Sequence, residues 1–140
     1  MTLLIDAAPL VSLADPDEPQ RAKILNTLGG EPGSLVIPAP TTVEIDYLLG
    51  QRFGRAARRA FLTDLAAGRF SVGVLDPDDY ATIVGLEARY ESLDLGLADC
   101  ALIVLADRYQ TDRILTFDER HFRTVTQLCG EPFTILPADG

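Results

Sequence analysis

Short apolar runs separated by stretches of helical periodicity constrain this chain more than any other feature of its sequence. Leu3-Leu4-Ile5, Ser34-Leu35-Val36-Ile37, residues 70–75, Arg113-Ile114-Leu115-Thr116-Phe117 and Phe133-Thr134-Ile135-Leu136 have the length and continuity of buried strands. Between them, helical patterns are expected over 18–28, 41–49, 54–67, 76–91 and 97–109, with a further helical turn over 10–13. Glycines mark the stops: Gly29-Gly30 closes the first helix, Gly50 breaks the second and Gly68 ends the third. Pro77 opens the fourth at an early helical position, where its missing N–H costs nothing. Buried strands alternating with helices call for a mostly parallel sheet covered on both faces, a three-layer α/β/α sandwich. At 140 residues the chain has the size of one domain, 1–140, with a single core and no linker.

Composition excludes several other classes. No apolar run approaches the roughly 18 residues needed to span a bilayer, so no membrane is expected. The chain reaches Asp6 too soon for a signal peptide and has no basic segment before it, so it reads as cytoplasmic. Cys100 and Cys129 have no metal-site or disulfide spacing and are expected to be free thiols. A net charge of −9 is a poor footprint for gripping nucleic acid through phosphates. Acids gathered around a metal would weaken that objection. So would the basic residues, of which all but Lys23 are Arg, the side chain best suited to bidentate phosphate contact.

Four acids stand at telling places. In open parallel sheets, ligands bind beyond the carboxyl ends of the strands. Two of the runs finish directly in a carboxylate, at Asp6 and Asp118, and the two acids lie side by side if those strands are neighbours. Asp99 opens a helix, Asp99-Cys-Ala-Leu-Ile-Val-Leu-Ala106, that is apolar all round and therefore buried. Such a helix would hold Asp99 rigidly at the sheet edge, although an Asp in a first turn also complements the helix dipole. Glu44 has a purely structural alternative, because Thr41-x-x-Glu44 matches a capping box. Asp94 is a rival to Asp99, five residues earlier in a loop. Converging carboxylates repel and are costly to bury unless a cation compensates. Oxygen donors suit Mg²⁺ or Mn²⁺, whereas zinc wants His and Cys, and this chain has a single His and two separated thiols. A carboxylate-held cation with open positions suits phosphodiester hydrolysis by water.

With these residues in place the chain resembles the PIN-domain family, and within it the VapC toxins. The matching pieces are Leu4-Ile5-Asp6 with Leu10 beyond it, Thr42-Val43-Glu44, Leu95-Gly96-Leu97-Ala98-Asp99-Cys100-Ala101, and Leu115-Thr116-Phe117-Asp118 leading to Phe122. The resemblance implies a catalytic cluster of Asp6, Glu44, Asp99 and Asp118. In it Asp6 and Asp99 are the direct metal ligands and Thr116 is a supporting hydroxyl. It further implies a Mg²⁺- or Mn²⁺-dependent endoribonuclease acting on tRNA or rRNA, a VapB-like antitoxin as partner, and a homodimer. Leucines near Leu10-Val11 and Leu48-Leu49 are candidates for the partner groove. Two positions depart from the family pattern: Ala8 replaces a common Ser or Thr, and His121 stands where many relatives carry a further acid. Arg52, Arg55 and Arg59 fall close to one face at helical spacing and are candidate RNA contacts, with a solvated face as the alternative. A receiver domain would want a Lys near its last strands, and a haloacid-dehalogenase phosphatase would want Asp-x-Asp after its first; neither is present. A non-catalytic PIN-like binding module and a structure-specific DNA nuclease are the remaining alternatives.

Overall fold

Each of the five apolar runs forms a strand in the computed structural model, which describes residues 1–140. They are β1 (Leu3–Ile5), β2 (Leu35–Pro38), β3 (Ser71–Gly73), β4 (Arg113–Leu115) and β5 (Thr134–Leu136). The sheet runs β3-β2-β1-β4-β5 and every neighbouring pair is parallel. Seven helices connect them: α1 (Ala7–Ser12), α2 (Arg21–Gly29), α3 (Ala39–Phe53), α4 (Arg55–Ala66), α5 (Pro77–Arg89), α6 (Leu97–Arg108) and α7 (Glu119–Thr124). The chain moves outward from β1 to β2 and β3, then returns through α5 and α6 to place β4 on the other side of β1. That reversal opens a crevice at the carboxyl ends of β1 and β4.

Period-two alternation divides the strand side chains between two cores. Leu4, Val36, Ile114 and Ile135 pack with Ile83 and Leu86 of α5 and with Leu102, Ile103 and Leu105 of α6. Leu3, Ile5, Ile37, Leu115 and Leu136 pack with Ile24, Ile45, Leu49 and Phe61, from α2, α3 and α4. Both faces are thus covered, as a parallel sheet requires. Helix α6 is buried at every position from Cys100 to Ala106. Each large apolar side chain so buried contributes roughly 1.5–3 kcal/mol, which anchors α6 in the core.

Several boundaries differ from the sequence reading. Helix α3 passes straight through Gly50 to Phe53, because a glycine in a helix supported by tertiary contacts weakens it without ending it. The guanidinium of Arg58 on α4 occupies the space a Gly50 side chain would need, so the glycine serves the α3–α4 crossing. The Thr41–Glu44 capping box is absent. Pro38 occupies the cap of α3, Thr41 is its third residue, and the buried Thr41 hydroxyl has no partner. Helix α2 begins at Arg21, after a turn in which the Arg21 N–H donates to the Glu18 carbonyl (3.1 Å). Helix α7 had no counterpart in the periodicity, being a single short helix. No helix is long and apolar enough to cross a membrane.

Candidate metal and active site

Asp6 is the first residue beyond β1, and its N–H donates to the Leu115 carbonyl of β4 (2.9 Å), extending the β1–β4 pairing to the acid itself. Its carboxylate caps α1 by accepting from the Ala7 N–H (2.8 Å), and its other oxygen accepts from the Thr116 hydroxyl (2.8 Å). The same Thr116 oxygen accepts from the Asp118 N–H (3.0 Å). A single buried hydroxyl therefore bridges the Asp6 carboxylate and the main chain of Asp118, which stands not at the end of β4, as the sequence suggested, but three residues beyond it. Asp118 caps α7 by accepting from the His121 N–H (3.0 Å). Asp99 is the third residue of α6, presented by the buried helix, and Glu44 projects from α3.

Asp6, Glu44, Asp99 and Asp118 all line one cleft of about 540 Å³, together with Ala7, Ala8, Gly96, Ala98 and Phe117. Its electrostatics are those of crowded, partly desolvated anions. Burial, followed by the charges of Asp6 and Asp118 and offset by His121, pushes the Asp99 carboxyl up to about 6. Asp6 is raised chiefly by burial, with Asp118 adding to the rise and the bonds from Thr116 and Ala7 opposing it. Glu44 is raised by burial and then by Asp6. Three of the four carboxyls thus resist ionisation in the absence of a compensating cation.

The tightest set of donor atoms comprises Asp99, Asp118 and His121, whose nearest ligand atoms all lie within 4.8 Å of one another. His121 Nδ1 stands 2.8 Å from Asp118 Oδ2 and 3.4 Å from Asp99 Oδ2. Neither approach is aligned as a hydrogen bond, so Nδ1 is buried without a partner. Asp94, the rival to Asp99, is exposed at φ 52°, caps the 3₁₀ turn Glu91–Leu93 and does not line the cleft.

The three arginines do not share a helix face. Gly54, at φ 92°, breaks the chain between α3 and α4, leaving Arg52 on the first helix and Arg55 and Arg59 on the second. Arg52 lines a second hollow of about 410 Å³ that shares Ala8, Glu44 and Phe117 with the acid cleft. Arg55 and Arg59 are exposed on α4, while their neighbour Arg58 pairs with Asp46 (3.3 Å).

The PIN domain family model matches residues 3–127, a span that contains every acid of the cleft. The chain belongs to the PIN-domain family. This PIN domain is 33% identical over 135 residues to ribonuclease VapC26 of Mycobacterium tuberculosis (strain ATCC 25618 / H37Rv), covering 96% of this chain and 100% of that protein. Its fold resembles the crystal structure of Mycobacterium tuberculosis VapC20, a Sarcin-Ricin loop cleaving toxin, with a TM-score of 0.75 and 14% identity over 84% of this chain and 90% of that one. It also resembles VapBC2 from Rickettsia felis bound to a DNA fragment from its promoter, with a TM-score of 0.69 and 13% identity over 96% and 98% of the two chains. The likeness to VapC proteins, anticipated from the motifs, is thus met in sequence and in fold. What the residues alone did not place is the His121 ring among the acids. Its spacing of three from Asp118 on a capped turn was the available signal.

Proposed function

We infer that this PIN domain is a metal-dependent endoribonuclease, the toxin of a toxin–antitoxin pair neutralised by a VapB-like antitoxin. One observation carries the reading: four carboxyl groups, from just beyond β1, from α3, from α6 and from the cap of α7, line a single cleft, and three are held above their ordinary range. A structural acid pair would be relieved by an Arg or Lys, and no basic Arg or Lys side chain lines this cleft. Its donor set is oxygen-rich, which fits Mg²⁺ or Mn²⁺. Asp6 and Asp99 would hold the ion directly, with Glu44 and Asp118 completing the anionic surround. When bound, the cation supplies Lewis-acid activation of water and charge stabilisation at the scissile phosphate. The chain's own residues do the rest. Thr116 ties the Asp6 carboxylate to the main chain at Asp118, α6 carries Asp99, and Arg52 beside the cleft would take an RNA phosphate.

The names of the relatives agree with this reading. VapC26 is a ribonuclease, VapC20 cleaves the sarcin–ricin loop, and the Rickettsia protein is part of a VapBC complex. An exposed loop of ribosomal RNA or a tRNA is accordingly the substrate class we assign. The deciding experiment maps new 5′ ends in cellular RNA after brief induction, beside in vitro cleavage with Mg²⁺ or Mn²⁺ and with EDTA. Discrete 5′-phosphate ends that appear with the wild type and are absent with Asp99→Asn are expected. Metal-independent cleavage, or wild-type rates from purified Asp99→Asn, would overturn the assignment.

A further inference from the structure

The sole histidine of the chain stands at the back of the acid cleft, its ring against Asp99 and Asp118, two of the acids that line it. The start of α7 is already secured by main chain, since the His121 N–H donates to Asp118 Oδ1 (3.0 Å). The imidazole is not needed for that cap. Its Nδ1 is nonetheless buried, faces two carboxylate oxygens at 2.8 and 3.4 Å, and is hydrogen-bonded to neither. A lone pair pointing at anionic oxygens is repulsive, and a proton placed between them would be off line. A cation beside that line would satisfy all three donors. Two donors about 2.1 Å from one octahedral ion, at right angles, are about 3 Å apart. The two observed separations bracket that spacing. The main chain beside the ring is anchored, because the next residue, Phe122, is buried edge-on against Phe133 with centroids 5.9 Å apart.

We propose that His121 Nδ1 is itself a ligand of the divalent cation, forming with Asp99 and Asp118 a mixed nitrogen–oxygen site that favours Mn²⁺ over Mg²⁺. This rests on the metal-site reading of the cleft, keeps Asp99 as a ligand, moves Asp118 from the anionic surround into direct contact, and adds His121 and the choice of ion. Carboxylate and water suit Mg²⁺ and Mn²⁺ alike, whereas an imidazole nitrogen adds affinity for first-row transition ions and little for Mg²⁺. The family pattern of a further acid at this position would supply no such preference.

Because the chain has one histidine, an isotope label can report on it alone. The experiment loads the untagged chain with Mn²⁺ and records pulsed EPR on natural-abundance protein and on protein carrying ¹⁵N-histidine. A directly coordinated nitrogen whose coupling changes from the ¹⁴N to the ¹⁵N pattern is expected, and it should vanish in His121→Ala. Calorimetry on His121→Ala and His121→Asn should give at least about 10-fold weaker Mn²⁺ binding, with a smaller loss for Mg²⁺. Circular dichroism checks that both variants fold, and the labelling arm needs no variant at all. Saturable Mn²⁺ binding that Asp99→Asn abolishes, with no histidine coupling, would overturn this proposal and leave the acid site standing. Equal losses for Mn²⁺ and Mg²⁺ in the variants would overturn the selectivity. An absence of any saturable Mn²⁺ or Mg²⁺ binding would overturn both the ligand proposal and the metal-site reading beneath it.

Discussion

Thr116 carries an unusual share of the site for a neutral residue. Its hydroxyl donates to Asp6 and accepts from the Asp118 N–H while almost wholly buried. Replacing it with Val keeps the volume, leaves a buried N–H and a carboxylate oxygen short of partners, and should cost about 1–3 kcal/mol of stability. Cleavage should fall as well, with Thr116→Ser recovering much of both, as urea unfolding and steady-state rates would register. The acids themselves should behave in the opposite way. Asp99→Asn removes a charge that burial and two neighbouring carboxylates disfavour, so the metal-free protein should become more stable while activity drops roughly 100-fold or more. A gain of 1 kcal/mol would raise the midpoint by about 4 °C in a domain of this size. The same carboxyl predicts a pH dependence. Its folded value of about 6 lies above the ordinary 3.8, so between those values the folded state keeps a proton that the unfolded chain releases. The stability it contributes is full below the lower value and is lost as pH rises through the upper one. Thermal melts of the metal-free wild type should therefore decline across that window. Asp99→Asn should flatten the decline, and saturating Mn²⁺ should remove it.

Among the elements, α3 and α4 teach the most. Gly50 looks like a helix stop, yet α3 continues through it because Ile45 and Leu49 are anchored in the core and Arg58 of α4 lies across the bare glycine. Gly50→Ala would displace the flexible end of Arg58 and its exposed pairing with Asp46, a contact worth at most about 1 kcal/mol, while gaining a similar amount of helix propensity. Its denaturation midpoint should stay within about 1 kcal/mol of wild type, and a loss several times larger would mean that the α3–α4 crossing depends on that pair. The turn at Gly54 also separates the arginines. All three are exposed, but only Arg52 lines the hollow that joins the acid cleft, while Arg55 and Arg59 stand on α4 away from it. Removing Arg52 should weaken RNA binding and lower the slope of log affinity against log salt by about 0.7, the value for one single-strand phosphate contact. Arg55→Ala with Arg59→Ala should change the slope less, and equal slopes would return Arg52 to the solvated surface.

For the whole molecule, charge and partner are linked. The net charge of −9 includes the four cleft acids, so a cation held there would cancel part of the excess. An apolar hollow lined by Leu10, Leu13, Leu49, Ala57, Phe61 and Phe70 opens between α1, α3 and α4. It includes two of the leucines picked out in the sequence as candidates for a partner groove. On the toxin reading, strong expression of the soluble chain alone should arrest growth, and co-expression of a cognate VapB-like antitoxin should restore it. Healthy growth with metal-replete, soluble protein would remove the toxin reading and leave the PIN fold intact. The homodimer implied by the VapC resemblance is a separate prediction, checked by sedimentation of the purified chain.

The fold class was legible because buried parallel strands and amphipathic or buried helices have different periods, and both periods are written in local residue order. Asp6 at the end of the first strand and the first-turn Asp99 were legible for the same reason, since position at an element's end is a local property, whereas Asp118 caps α7 three residues past its strand. The ends of α2 and α3 were less so, because packing supports helix where propensity alone would stop it. What only the tertiary structure decided are relations between distant segments. The sheet order puts β1 beside β4 and so makes neighbours of acids more than a hundred residues apart. The Thr116 bridge, the failed Thr41 cap and the turn that parts Arg52 from Arg55 depend on chain paths that a local pattern does not encode. His121 is the clearest case. A single histidine on a short helix has no periodic signal, and its buried Nδ1 acquires meaning only when α6 and α7 bring two carboxylates to it.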